Sequence, residues 1–123
     1  MKYDELYDDF KALFPEDASY FAAQEDKTGA DKDDGMHVLF GMIVSPFLIS
    51  LAEKEPEKAQ KAFEYIEQMQ TSGDDNIANV AEVSVLEVVM TDKKGGMAKL
   101  GKYLGTESLK AVEHLSRYFK IQK

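Results

Sequence analysis

Apolar residues recur along most of this chain at three- and four-residue steps, the period of helices buried along one face. Tyr3, Leu6, Tyr7, Phe10, Leu13 and Phe14 mark the first such face. Pro15 is expected to end it, because proline disfavours helix in the residue before it. Asp4, Glu5, Asp8 and Asp9 fill the other side, favourably near the positive end of the helix dipole. Tyr20 to Ala23 reads as a further short turn. Gln24 to Gly35 is polar, acidic and holds two glycines, and it reads as a flexible surface loop.

Asp33 or Asp34 is placed to cap a buried helix from Met36 to Val44. Ser45-Pro46 admits two readings: a fresh start with serine as N-cap and proline in the first turn, or a kink within one long helix. Phe47, Leu48, Leu51 and Ala52 carry the apolar face onward. Glu55-Pro56 opens the clearest helix, with Ala59, Ala62, Phe63, Ile66 and Met69 on one side and Gly73 closing it. Asp74 or Asp75 then caps a helix to about Met90. Its valine-rich end is not a strand, because Asn79, Glu82 and Glu87 do not alternate as a half-buried strand requires. Lys93 to Gly96 is a basic break, and Met97 to Leu104 a short helix. Thr106 can cap a last helix that buries Leu109, Val112, Leu115 and Phe119. The expectation is an all-α single domain over residues 1–123, with six or seven short helices as stacked antiparallel hairpins, HEAT-like or a compact bundle.

Composition narrows the chemistry. The chain is long enough to bury a sizeable core, and its lack of cysteine excludes disulfides and thiolate metal sites. The acidic, amphipathic start is unlike a secretory signal. The longest apolar stretch, Met36 to Ala52, is interrupted by His37, Ser45, Pro46 and Ser50, and is too short to span a bilayer. A soluble cytoplasmic domain is expected. Its charge is uneven: residues 1–91 hold 20 acidic and 7 basic side chains, residues 92–123 hold 3 and 8, and the net charge is −8. Such a body repels nucleic acid and anionic membrane and speeds encounter with basic partners. Direct nucleic-acid binding by the basic tail, which ends with Lys120 and Lys123, is therefore not expected.

Catalytic patterns are sparse. Asp31, Asp33 and Asp34 suggest calcium, but with Gly35 at the sixth position of an EF-hand loop, Ala30 and Lys32 fall on the first and third, and Gly41 on the twelfth. His37 and His114 lack a second histidine at helical spacing, so both read as packing residues. No phosphate loop or nucleophile elbow is present. Neither metal nor cofactor is expected. The acids at helix starts, Glu16-Asp17, Asp33-Asp34 and Asp74-Asp75, would gather along one edge of stacked hairpins as a negative rim, joined by Glu82 and Glu87. Alternatively each acid serves only its own helix as cap and dipole partner.

One resemblance adds to this. His37-Val38-Leu39-Phe40-Gly41, Pro46-Phe47-Leu48, Phe63 to Met69, Asp74 to Val80 and Val83 to Glu87 stand in order, with Leu104-Gly105-Thr106-Glu107-Ser108 after them. Over residues 36–119 this resembles a family of small all-helical bacterial proteins found alone and among the immunity proteins of polymorphic-toxin and contact-dependent growth inhibition systems. The resemblance implies a non-catalytic cytoplasmic inhibitor that binds a cognate toxin domain. Many such toxins are nucleases with basic clefts, which an acidic surface can block. The partner-binding candidates are Asp33, Asp34, Asp74, Asp75, Asn79, Glu82 and Glu87. Asn79 and Glu87 have an alternative as buried, hydrogen-bonded structural groups. The competing function classes are a helical adaptor for another cytosolic protein and a metal-dependent hydrolase using clustered aspartates.

Overall fold

Pro15 ends the first helix as its backbone requires, and the chain beyond it turns helical again at once. In the computed structural model, which describes residues 1–119, the chain forms seven helices and, among these residues, no strand. They are α1 (residues 3–12), α2 (15–28), α3 (36–51), α4 (56–70), α5 (75–90), α6 (96–103) and α7 (106–119). No helix among the described residues is long and apolar enough to cross a membrane. The basic residues Lys120 and Lys123 and the side chain of Phe119 lie outside the described ones.

The loop expected at 24–35 is mostly helix. Ala18–Thr28 forms one α-helix that continues past the Tyr20-Phe21 turn and stops at Gly29, whose left-handed backbone (φ 73°) closes it with a bond from its N–H to the Glu25 carbonyl. Glycine is suited to that position because a Cβ is strained there. The apolar signal is weak because Phe21 is the one fully buried residue of this helix. Asp31 then accepts from the Asp33 N–H while Asp34 accepts from the Asp31 N–H, a capping box around the turn Lys32–Asp34. So Asp33 and Asp34 do not cap α3; Gly35 precedes it without a side-chain cap.

The core is built on rings. Phe10 of α1 is fully buried and its ring centre lies within 5.3–6.3 Å of Phe14, Phe21, Phe40, Phe47 and Tyr65. These mostly edge-on contacts join α1 to α2, α3 and α4, and aromatic pairs add to plain burial. The short connections make α3, α4 and α5 antiparallel neighbours in turn, so α3 and α5 run parallel where they meet.

At Ser45-Pro46 the reading of one long helix holds, and the start of α7 departs from the sequence reading. Ser45-Pro46 does not begin a helix: α3 runs through it, with a π-helical segment Phe40–Val44 just before the proline. The wider winding takes up the register that a proline without an N–H disturbs. At α7, the cap comes from a distant residue and not from Thr106. Glu67 of α4 accepts from the Glu107 N–H (2.8 Å), the Ser108 N–H (2.9 Å) and the Ser108 hydroxyl (2.8 Å). Burial pushes the Glu67 carboxyl up, but these three donors outweigh it and hold the acid below the usual glutamate range. Gly105 makes this possible, since a Cβ there would stand 2.5 Å from the Glu67 carboxyl carbon. With Ser108 anchored, α7 buries Ser108, Ala111 and Leu115, whereas Leu109, expected inside, is 51% exposed.

Candidate functional site

Helices α3 and α5 cross where two π-helical segments face each other, Phe40–Val44 on one and Val80–Leu86 on the other. Gly41 sits at the crossing, where an added Cβ would stand 3.9 Å from the Ser84 carbonyl oxygen. The buried Ser45 does not cap a helix; its hydroxyl donates to that same carbonyl at 2.6 Å. His37 Nδ1 shares a 2.7 Å hydrogen bond with Ser84 Oγ. Three residues spaced four apart on α3 thus meet a single residue of α5.

This arrangement decides which way α5 faces. Its core side is Ile77, Val80, Ala81, Val85, Leu86 and Val89, all fully buried. Because the π segment winds more slowly, residues four apart stay in line. Asp75, Asn79, Val83 and Glu87 therefore form one row along the outer side, with the half-buried Glu82 at its flank. Asn79 is exposed, not the buried structural group that was its alternative, while Glu87 is half-buried. Asp74 caps α5, accepting from the Asn76 N–H at 2.9 Å and the Ile77 N–H at 3.4 Å.

The expected rim forms in part. Because α3 and α5 run parallel, Asp33-Asp34 and Asp74-Asp75 stand at the same end of the bundle. Glu16-Asp17 do not join them. Both pair with Lys58, at 3.5 and 2.9 Å, in the first turn of antiparallel α4 and so at the opposite end. Among the described residues, none of Asp33, Asp34, Asp74, Asp75, Glu82 and Glu87 forms an ion pair, whereas Asp8, Glu16, Asp17, Glu25, Glu53, Glu107 and Glu113 do. The sequence explains the contrast: no lysine or arginine occurs from Asp33 to Glu53, or from Ala62 to Asp92.

The α1–α2 side is built differently. Tyr7 is 2% exposed and its hydroxyl donates to Glu25 at 2.7 Å, while Lys11 donates to the same oxygen at 2.9 Å and lies 4.4 Å from the Tyr7 ring centre. Burial, then the bond to Glu25, raises the phenol above its ordinary range. Burial also works to raise Glu25, but Tyr7 and Lys11 prevail and lower it. The group lines a cleft of about 360 Å³ with Leu39, Ala30 and Lys32. Sequence reasoning missed this cluster and the Glu67 cap, whose partners are too far apart in sequence to form a local pattern.

As chemistry, the site offers little. Ser84 and His37 have the atoms of a nucleophile and a base, but Ser84 is 6% exposed in mid-helix. No carboxylate is bonded to the His37 ring among the described residues, so the pair lacks the third group that orients a base. The ring is exposed while hydrogen-bonded, a tie between helices at their edge. His114 is exposed on α7. Among the described residues, no three His, Asp or Glu side chains gather as metal ligands.

The model of a family described as a domain of unknown function, DUF7674, matches residues 7–120. No curated protein and no solved structure matches the chain.

Proposed function

The chain belongs to the DUF7674 family, and we propose that it acts by binding a basic protein partner through the acids of α5 and of the α3 start, without chemistry of its own. The observation that carries this reading is the absence of any ion pair at Asp33, Asp34, Asp74, Asp75, Glu82 and Glu87 among the described residues. An acid already paired within its own fold must lose that partner to bind another. Acids without one keep their full field for steering an incoming cationic surface.

The finer form of the proposal is an immunity protein of the cytoplasm that neutralises a cognate toxin domain, a nuclease with a basic cleft. It is supported by the ordered motifs from His37 to Ser108 and by the net charge of −8. The acids would stand where substrate phosphates otherwise lie. The test is to purify the protein together with the C-terminal domain encoded by the adjacent upstream gene. A stable complex without nuclease activity is expected. Lack of a complex, or a complex that still cuts nucleic acid, would leave the adaptor reading in its place.

A further inference from the structure

The outer side of α3 and α5 carries more than acids. Met42 is 46% exposed and Val83 39% exposed, and each adjoins a residue of the crossing, Gly41 and Ser84. Since the two helices run parallel and both residues are turned outward, Met42 and Val83 stand on the same face. Around them lie Asp75, Glu82 and Glu87, and no lysine or arginine belongs to either helix. Exposed aliphatic side chains among acids, on two helices that carry no lysine or arginine, have the make-up of a recognition surface, an apolar centre within a charged rim.

We propose that this face seats one cationic amphipathic helix of the partner, with its aliphatic side chains on Met42 and Val83 and its lysines or arginines over Asp75, Glu82 and Glu87. Packing geometry selects a helix. Two packed parallel helices leave a groove between their outer sides into which a third can set its ridge. Along that groove the row Asp75, Asn79, Val83 and Glu87 places an acid on either side of the exposed valine. From Asp75 to Glu87 the row is about 18 Å long at ~1.5 Å per residue, so it fits about 12–14 residues of helix. Charge complementarity fixes the sign: the face repels an acidic helix and lacks the cations that would hold an anionic ligand. The inference rests on the reading that the partner is a basic protein, and adds which residues meet it and in what form.

The probe is a synthetic leucine–lysine peptide of about 14 residues, amphipathic as a helix, compared with a scrambled peptide of the same composition and charge. Binding of each to the full chain is measured by calorimetry over a range of salt. The amphipathic peptide is expected to bind about tenfold or more tightly than the scrambled one. Its amide perturbations in the protein should centre on residues 36–46 and 75–88. The double variant Met42→Gln with Val83→Gln should erase that advantage, and Leu109→Gln, an equally exposed leucine on α7, should leave it intact. Equal, salt-sensitive binding of both peptides, or an advantage that survives the double variant, would overturn this face while leaving the acidic-surface reading standing. Binding of neither peptide would overturn it as well, and the toxin-complex measurement then decides the broader reading separately.

Discussion

The α1–α2 and α3–α5 sides of this bundle differ in how many of their carboxylates have a basic partner. On the α1–α2 side Glu25 is joined to Lys11 and Tyr7, Asp8 to Lys32 and Asp17 to Lys58, while Asp4, Glu5, Asp9 and Asp26 form no ion pair among the described residues. On the α3–α5 side the acids of α5 have only backbone N–H groups or solvent, and the helix beside them offers one titratable side chain, His37. Partly exposed ion pairs contribute little to stability, so the first arrangement mainly fixes how α1, α2 and the turn after α2 lie together. The second leaves charge unspent within the fold. The proposed binding acids thus differ from Glu25, Asp8 and Asp17 in having no basic side chain of the described chain beside them.

The hardest way to break the comparison is at the rings. Phe10→Ala should lower stability by about 3–5 kcal/mol, because it opens a cavity among five aromatic neighbours. Val83→Ala on the opposite side should change it by less than about 0.5 kcal/mol. Urea unfolding of both variants measures the contrast. A similar cost for the two would mean that the α5 face is packed as part of the core.

A smaller effect is expected at Glu67 of α4, which belongs to the structural set because it holds the start of α7. Glu67→Gln weakens the acceptor for two N–H groups and a hydroxyl at the start of α7 and should cost about 1–2 kcal/mol at neutral pH. The pH dependence follows from the lowered acid. Between its folded value and the unfolded glutamate value near 4.3, the unfolded chain binds more protons, so stability rises with pH. The contribution is present in full above the unfolded value and is lost as pH falls through the folded one. Thermal melts at neutral pH and below pH 4 should show the gap between Glu67→Gln and the parent narrowing in acid. A gap independent of pH would argue that shape, not charge, holds α7. Tyr7→Phe is expected to cost about 1 kcal/mol through the lost bond to Glu25, which is left with Lys11. No loss in urea melts would show that Glu25 and Lys11 position α2 without the phenol.

Much of the fold was legible because its punctuation is local. Pro15, Pro56, Gly73 and Asp74 mark ends and starts within a few residues of where the helices end and start, and Asp74 caps α5 as such a residue should. What was not legible depends on distant partners. Helix α2 has one fully buried side chain, so its period is faint, and its continuation to Thr28 relies on Glu25 meeting α1. The face of α7 follows from Glu67, forty residues earlier in the chain, which turns Ser108 inward and Leu109 out. The π segments of α3 and α5 face each other; Pro46 is a local cue beside the first, and no local pattern announces the second. Of the candidate site, the sequence identified the acids and the helix that bears them. The parallel placement of α3 with its exposed Met42 came from the packing, as did the diversion of Glu16-Asp17 to Lys58.

The smallest expected change sharpens the comparison most. If the acids of α5 have no structural partner, replacing Glu82 and Glu87 together with glutamine should shift stability by no more than about 0.5 kcal/mol, and relief of like-charge repulsion favours a slight gain. Glu25→Gln, at a carboxylate equally half-buried but bonded to Tyr7 and Lys11, should cost more. All three carboxylates are half-buried, and the presence of an internal partner is the difference under test. With the basic partner domain, the order should reverse: the Glu82/Glu87 variant associates more slowly and with a flatter salt dependence, while Glu25→Gln associates as the parent does. Paired urea melts and stopped-flow association give both orders. A loss above about 1.5 kcal/mol in the Glu82/Glu87 variant would place those acids with the structural set, because only groups satisfied inside the fold are missed when they are removed.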